Sequence, residues 1–275
     1  LLPNRVGEEW DSRAIRVDAE NVEIDNNDIW NFARSGIDVG TSTQVQYVYI
    51  HHNYIHHTSR ETYHPREECD RRKKKVVTAT NRIATSRDIE RFWKGELDLE
   101  DGKYLCGISY GISLSKVKNA LIEANVFSHH RHSINGGDST TNYEARYNLS
   151  LETFFRHSFD SHQTCYINEE LVSKENCDEK CLWPKTCKVN GVVKHGFVSG
   201  EHTKIHQNTF LSLNKNVGIR GKPQVKSEIY CNRFRNSLEE AIEQSFIPEE
   251  HKLKPAPFGN VELGYNYQNS QLEPF

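Results

Sequence analysis

The stretch IEANVF at residues 122–127 contains the sequence frame that decides the fold of this 275-residue chain. An apolar residue is followed by two residues of any kind, an asparagine, one further residue and a second apolar residue. The same frame returns at residues 24–29, 50–55, 205–210 and 229–234. Looser copies occur at Ala145–Asn148 and Leu263–Asn266. A unit repeated in this way indicates a solenoid, in which each repeat packs mainly against its neighbours.

The spacing of the asparagines gives the length of one coil. Asn27 and Asn53 are 26 residues apart, and Asn125 and Asn148 are 23 residues apart. A coil of this length holds two or three short strands, which is typical of a parallel β-helix. We therefore predict an all-β fold in which residues 1–275 form one solenoid domain, with successive rungs about 4.8 Å apart.

Two inward-facing stacks of apolar residues are expected inside this solenoid. The first stack contains Ile24, Ile50, Ile122, Ile205 and Ile229. The second stack contains Ile15, Ile37, Ile112, Ile134, Phe159, Ile219 and Ile242. The asparagines are expected at a sharp bend, because asparagine tolerates the left-handed conformation and its amide can bond to the asparagines above and below. This pattern resembles the asparagine ladder of the pectate-lyase-like superfamily, and the resemblance implies a single-stranded, right-handed parallel β-helix.

Two intervals between asparagines are much longer than one coil and predict two long loop insertions. The first insertion runs over residues 58–110, and the second runs over residues 163–199. Residues 86–93 have a capping serine and apolar residues at helical spacing, so the first insertion is expected to be partly helical and to form a lid. Its basic run, Arg71–Lys75, is a candidate contact for an anionic polymer, although most such runs are simply solvated.

Cysteines are concentrated in the second insertion. Four of them lie within 23 residues, at Cys165, Cys177, Cys181 and Cys187. A polar loop without a core of its own is typically held by disulfides, and the paired C-x2-C spacing of a zinc knuckle is missing here. Cys69 and Cys106 are placed to close the first insertion, which leaves Cys231 as the free thiol. These cross-links favour a secreted, extracellular protein.

The composition excludes several functional classes. The formal net charge of −3 provides no basic field that would recruit nucleic acid. No apolar stretch approaches the length needed to span a bilayer. The sequence contains no methionine, so we expect it to begin after a leader that has been removed, in keeping with secretion.

Solenoids of this kind bind extended polymers along an outward face. Strand alternation predicts two outward columns rich in ionisable groups. The first column contains Asp25, His51, Glu123, Arg146, His206 and Tyr230. The second column contains Asp38, Ser113, Asn135, Asp160, Arg220 and Glu243. We predict a groove along these columns, and the expected substrate-binding residues are His51, Glu123, Arg131, Asn135, Glu144, His206 and Arg220.

The densest group of ionisable residues spans two neighbouring rungs. His132 and His157 each lie two residues before an inward apolar residue, so we expect them to stack one rung apart. Several imidazoles placed together are unfavourable unless they stay neutral, bind a metal or face carboxylates. The predicted catalytic residues are His130, His132, Arg146, Tyr147, His157, Asp160 and His162.

The first mechanism that this group suggests is β-elimination, which would make the protein a lyase acting on an acidic polysaccharide. A cation must neutralise the substrate carboxylate, a base must remove the neighbouring proton, and an acid must protonate the leaving oxygen. The candidates for these roles are, in the same order, Arg146 or Arg220, His132 or His157, and Tyr147 or His130. The scheme is similar to that of lyases on the resembled fold.

Three alternatives stay open. In the first, a divalent metal, zinc or calcium, assists hydrolysis of a glycosidic or phosphodiester bond. Its ligands would be His132, His157, Asp160 and His162. In the second, Asp160 pairs with Asp38 or Glu243 in a two-carboxylate glycosidase. In the third, the β-helix is a non-catalytic polysaccharide-binding protein or adhesin, and the ionisable cluster argues against this role.

Overall fold

The computed structural model describes residues 13–56 except 31 and 33, 110–162 except 137–139 and 152–156, 199–245 except 214, and 261–268. It also describes the backbone of short strands between these ranges. Over these residues the chain winds as a right-handed parallel β-helix with three parallel sheets of seven strands each. We call them sheets A, B and C, and each coil adds one strand to each sheet in that order. The predicted fold is therefore confirmed.

The strands of each sheet follow one another along the solenoid. Sheet A contains Arg13–Val17, Ser35–Val39, Tyr110–Leu114, His132–Gly136, Phe159–Ser161, Val217–Arg220 and Ile242–Ser245. Sheet B contains Val22–Asp25, Val45–His51, Val117–Glu123, Asn142–Arg146, His202–His206, Lys226–Tyr230 and Val261–Gly264. Sheet C contains Asp28–Trp30, Tyr54–His56, Val126–Ser128, Leu149–Ser150, Thr209–Phe210, Arg233–Phe234 and Tyr267–Gln268. A short helix, Leu238–Ala241, is capped by Ser237 and leads into the last strand of sheet A.

Short antiparallel strands occur where the two insertions were predicted. They pair Thr62–Pro65 with Lys103–Cys106, Thr164–Ile167 with Glu170–Leu171 and Phe197–Val198, and Cys187–Val189 with Val192–Lys194. The expected helix at residues 86–93, the basic run at residues 71–75 and the side chains of the six cysteines expected to form disulfides lie outside the described residues. Cys231 is described and has a free thiol, as predicted.

An asparagine ladder connects the coils from Asn27 to Asn266. The Nδ2 atom of each asparagine donates to Oδ1 of the next at 3.0–3.1 Å. From Asn53 onward, Nδ2 also donates to a backbone carbonyl of the preceding coil, as Asn125 does to Ile50 at 2.9 Å. An interior asparagine therefore ties three successive coils together.

The left-handed residue at this bend is the one before each asparagine, so the prediction that the asparagine itself is left-handed was wrong. The residues concerned are Asn26, His52, Ala124, Tyr147, Gln207, Cys231 and Tyr265, with φ between 43° and 56°. The preceding residue bends the chain between sheet B and sheet C, and the asparagine N–H can then donate to the next coil, as Asn53 does to Oδ1 of Asn125 at 3.0 Å. The ladder bonds offset a conformation that costs a non-glycine residue about 1–2 kcal/mol.

The apolar stacks are confirmed with one change of register. The first stack runs in register through Ile24, Ile50, Ile122, Ala145, Ile205, Ile229 and Leu263. In the second stack Phe159 pairs with Val217, which in turn pairs with Ile242. Ile219 was predicted at this level but lies two positions further along its strand, opposite Ser161. The outward column of sheet A is shifted by the same two residues at this coil.

We expect replacement of an interior ladder asparagine to be strongly destabilising. Asn125→Ala removes the donor to the Ile50 carbonyl and the acceptor for the Asn53 N–H, both buried. Each unsatisfied buried group costs about 1–3 kcal/mol, so the free energy of unfolding should fall by about 2–5 kcal/mol. Urea unfolding followed by circular dichroism measures the loss. Asn27→Ala, at the exposed first coil, is the control and should lose less than half as much; equal losses would contradict the proposed role of the ladder.

Candidate functional site

The outward column of sheet B forms as predicted, but its charges neutralise one another. The register aligns Asp25, His51, Glu123, Arg146, His206 and Tyr230 on successive coils. Arg146 donates from Nε to Glu123 at 2.6 Å and from Nη1 to Glu144 at 3.1 Å. His206 Nε2 lies 3.1 Å from the same Glu144 oxygen, and its ring stacks on Tyr230. Networks of partly exposed ion pairs such as this one are common on solvated surfaces.

A second group of ionisable side chains surrounds Asp160 on the outer face of sheet A. Arg220 donates from Nε to Asp160 Oδ1 at 2.9 Å and from Nη2 to Oδ2. His157 Nδ1 lies 3.2 Å from Oδ1, while His132 Nε2 and His162 Nε2 lie 3.4 and 3.2 Å from Oδ2. One fully buried carboxylate thus contacts a guanidinium and three imidazoles. The Asp160 cluster, as used below, consists of His132, His157, Asp160, His162, Arg220 and Glu243.

A bulge-like irregularity explains how His132 reaches the outer face. Ile134 lies in the core, so simple alternation would also turn His132 inward. The N–H groups of Ser133 and Ile134 both donate to the carbonyl oxygen of Ser158, at 2.7 and 3.0 Å. The regular hydrogen-bond ladder is therefore interrupted between Ser133 and Ile134, although the register with the preceding strand is the same on both sides, with His132 opposite Tyr110 and Ile134 opposite Ile112. Such a local irregularity can re-aim a side chain. His132 therefore lies on the same side of sheet A as Asp160.

Gly218 provides the space that His157 occupies. The register places Gly218, and not Arg220 as predicted, in the outward column between Asp160 and Glu243. A Cβ atom at Gly218 would lie only 2.5 Å from Cγ of His157. His157 Nε2 lies 3.2 Å from Glu243 Oε2, so the imidazole bridges two carboxylates. Burial lowers the pKa of His157, but Asp160 and Glu243 outweigh burial and raise that pKa above its ordinary value.

Both carboxylates of the cluster are held in the ionised form. The hydrogen bond with His157, supported by Lys215, outweighs burial and lowers the pKa of Glu243 to about 2. Burial would raise the pKa of Asp160, but Arg220 and the contact with protonated His157 outweigh burial and keep that pKa well below its usual range. The two negative charges are therefore balanced by Arg220 and by protonated His157, which makes their burial tolerable.

Hydrogen bonding also defines the protonation of two further rings. His132 Nδ1 lies 2.7 Å from the carbonyl oxygen of His157 and is therefore the donor. Burial, which outweighs Asp160, holds the pKa of His132 well below its ordinary value, so Nε2 carries a lone pair. Arg220 Nη2 contacts Nε2 of His162, and this nitrogen must accept because a guanidinium can only donate. Both rings therefore present an acceptor nitrogen towards Asp160.

Part of the predicted metal-ligand set comes together. One ligand atom each from His132, Asp160 and His162 lies within 4.8 Å of the others, so these residues could hold a metal ion. His157 was predicted as a fourth ligand, but its ring nitrogens face Asp160 Oδ1 and Glu243 instead. The side chain of His162 is 20% exposed and forms the open side of this set.

The other predicted catalytic residues lie elsewhere. The His130 ring packs in the interior against Phe32 and Phe127, with centroid distances of 5.8 and 6.2 Å. Arg146 lies on sheet B, and the exposed Tyr147 follows it at the bend before the ladder asparagine. The sequence-based hypothesis therefore combined residues of two sheets that belong to different faces of the coil.

Of the predicted substrate-binding residues, Arg131, Asn135 and Arg220 lie at or beside the Asp160 cluster. Asn135 pairs in register with Asp160, and the Arg131 guanidinium carbon lies 6.0 Å from the ring centroid of Tyr110. The remaining members, His51, Glu123, Glu144 and His206, lie on sheet B.

Sequence reasoning missed three contributors to the site. Tyr110 stacks on His132 at 5.6 Å, Gly218 makes room for His157, and Lys215 forms an ion pair with Glu243. Tyr110 and His132 occupy equivalent positions on successive strands, so the repeat frame could have found Tyr110. No sequence pattern predicted that Gly218 or Lys215 belongs to the site, because their places depend on the register between the strands of sheet A.

No protein-family model matches this sequence, and neither the search of curated proteins nor the search of solved structures finds a match. The resemblance to the pectate-lyase-like superfamily therefore stays a prediction beyond the parallel β-helix itself. Among the described residues, no helix is long and apolar enough to cross a membrane.

We expect Gly218→Ala to disturb the cluster specifically. The added Cβ would lie 2.5 Å from His157 Cγ, so the ring must move away from Asp160 and Glu243. Overpacking of this kind costs about 1–3 kcal/mol, measurable by urea unfolding, and should also shift the His157 signal in histidine NMR spectra. Gly264→Ala is the matched control, because its Cβ would meet its nearest neighbour at an ordinary 3.5 Å. If both variants behaved alike, Gly218 would have no special role.

The bridge between Glu243 and His157 predicts a pH-dependent contribution to stability. Because the pKa of His157 is raised in the folded chain, its contribution is complete below the ordinary value of 6.5 and disappears as pH rises through the folded pKa. Glu243→Gln should lower the His157 pKa in an NMR titration. It should also lower the free energy of unfolding by about 1–3 kcal/mol at pH 5, and this difference from wild type should shrink above the folded-state pKa of His157.

Glu228→Gln is the control for this titration. Glu228 also pairs with a histidine, His202, at 2.8 Å, but on sheet B. The Glu228→Gln variant should leave the His157 pKa unchanged, and an equal shift in both variants would rule out a specific bridge between Glu243 and His157.

Proposed function

We propose that this chain is an enzyme that cleaves an acidic polysaccharide by hydrolysis, with its catalytic centre in the Asp160 cluster. The observation that carries this proposal is the convergence of an ionised, buried carboxylate with two imidazoles, because Nε2 of His132 and Nε2 of His162 lie 3.4 and 3.2 Å from Asp160 Oδ2. Buried groups with strongly perturbed protonation and specific charge partners are typical of catalytic sites.

The fold and the rim of the cluster support a polymeric, anionic substrate. Sheet A extends over seven coils, or roughly 29 Å at about 4.8 Å per rung, a length that matches several units of a linear chain. The middle of this face is buried, and the cluster reaches solvent at His162 and Glu243, whose side chains are 20% and 27% exposed. Arg131 lies over Tyr110, which in turn stacks on His132, so a cation adjoins the cluster. A guanidinium in this position can pair with the carboxylate of a uronic acid.

Protonation argues against a plain two-carboxylate glycosidase. That mechanism requires one protonated carboxyl group as general acid. Asp160 and Glu243 are both ionised, since the pKa of Glu243 is lowered to about 2 and the pKa of Asp160 is also well below its usual range. Asp38, the other candidate partner, is paired with Arg13. Hydrolysis at this site therefore needs an activated water molecule.

β-Elimination is the second candidate, because a neutral His132 is a group that could act as base. Two observations make it the weaker one. Arg220 is bound by both oxygens of Asp160 and Arg146 lies on sheet B, so neither of the two guanidinium groups predicted to neutralise the substrate carboxylate is available, and Arg131 would have to take that role. Burial also holds the pKa of His132 well below its ordinary value, which makes this imidazole a weak base.

The products of the reaction test the proposal. Purified protein is incubated with polymers of galacturonate, glucuronate and mannuronate, and both new reducing ends and the absorbance of unsaturated uronate are measured. We expect reducing ends without absorbance, and a loss of about 10²-fold or more in His162→Ala, since acid–base and metal-bound groups contribute at least this much. His202→Ala, which removes a carboxylate-paired histidine from sheet B, is the control.

Each outcome of this assay is decisive. If unsaturated product were formed, elimination at the same cluster would replace hydrolysis as the proposed reaction. Cleavage that is unchanged in His162→Ala would remove the reaction from the Asp160 cluster. No cleavage of any uronate polymer by the full chain would overturn an acidic polysaccharide as substrate.

A further inference from the structure

Three acceptor atoms converge in the Asp160 cluster. They are Nε2 of His132, Oδ2 of Asp160 and Nε2 of His162. Arg220 Nη2 donates to the last two, whereas Nε2 of His132 is buried and has no hydrogen-bond partner among the described residues. An acceptor nitrogen 3.4 Å from a carboxylate oxygen is repelled unless a cation lies between them.

The distances between these atoms suit a small metal ion. A tetrahedral zinc site with bonds of about 2.0–2.1 Å has ligand–ligand distances of roughly 3.3–3.4 Å. Asp160 Oδ2 lies 3.4 Å from Nε2 of His132 and 3.2 Å from Nε2 of His162. Two edges of the tetrahedron are therefore already in place before any ion is bound.

The groups behind these atoms have the arrangement that supports metal ligands. Histidine ligands usually donate their second ring N–H to a carbonyl or carboxylate, which orients the ring. His132 Nδ1 donates to the carbonyl oxygen of His157 at 2.7 Å. Asp160 Oδ1, the oxygen that faces away from the site, accepts from Arg220 Nε at 2.9 Å and lies 3.2 Å from His157 Nδ1. These contacts fix the side-chain orientations of His132 and Asp160.

We propose that His132, Asp160 and His162 bind one divalent transition-metal ion, best matched by zinc, and that the Arg220 Nη2 group occupies the same position until the ion displaces it. Nη2 contacts two of the three ligand atoms, so it and the metal exclude one another. Arg220 keeps its Nε bond to Oδ1 when Nη2 withdraws. Two imidazoles and one carboxylate favour zinc over calcium, which prefers oxygen ligands.

The role of this ion in catalysis rests on the proposed function, whereas its binding does not. Zinc held by three protein ligands keeps a fourth position for water, which is the nucleophile that hydrolysis requires. His162 is the partly exposed ligand, so this position lies on the side from which a substrate approaches.

Metal binding is tested directly with zinc and the full chain. The protein is stripped with a chelator, loaded with zinc chloride, desalted and analysed for metal, and affinity is measured by competition with a chromophoric chelator. We expect one equivalent in wild type and in His202→Ala. His132→Ala and His162→Ala should lose affinity by more than the roughly 10–100-fold typical of outer-shell changes. Arg220→Gln should bind zinc more tightly than wild type, because the competing cation is gone.

The possible results separate the metal from the function. Folding of each variant is checked by circular dichroism, so that a loss of zinc is compared among folded chains. Less than 0.1 equivalent in folded wild type, or equal zinc in wild type and His162→Ala, would overturn the site, even if polysaccharide cleavage were found. If Arg220→Gln bound zinc more weakly than wild type, the proposed competition between Arg220 Nη2 and the metal ion would be overturned. Zinc bound as expected without any cleavage would leave the site standing and remove the proposed function.

Discussion

The hydrogen-bonded register of the asparagine ladder is the constraint on which the rest of the structure depends. Each interior amide bonds to the coil on either side, so a coil cannot slip by two residues without leaving buried donors and acceptors unsatisfied. The same register places apolar residues in continuous stacks. It also fixes which side chains of sheet A become neighbours, since a shift of two positions would separate Asp160 from Gly218 and Glu243. The register set by the ladder therefore determines both the packing of the core and the composition of the Asp160 cluster.

The Asp160 cluster shows how a β-helix can bury charge on a strand face. Burial of one carboxylate alone would be very unfavourable. Here Arg220 and protonated His157 balance Asp160 and Glu243. The arrangement also needs two backbone features, the bulge before Ile134 and the absence of a side chain at Gly218. Neither feature strengthens the core, which is consistent with a local structure shaped by the cluster.

The fold and half of the site were predictable from the sequence, whereas the rest of the site depends on the strand register. Period, amide chemistry and strand alternation are local properties, so the stacks and the sheet B column followed from them. Val217 and Ile219 are both apolar and fully buried, so only the register shows which one continues the stack. The choice of Ile219 misplaced Arg220 by two residues. Proximity in sequence also joined Arg146 to His132, although consecutive strands of one coil lie on different sheets.

The position of the second insertion has an evolutionary consequence. The chain ends its sheet A strand at Ser161, next to His162, and re-enters the coil at the sheet B strand His202–His206. Both ends of the excursion lie in one coil, and solenoid stability resides in contacts between neighbouring coils. Recombination can therefore exchange this segment for another of different length while the ladder keeps the Asp160 cluster in place. In a lineage built on this scaffold, the length and sequence of this segment can therefore change independently of the Asp160 cluster.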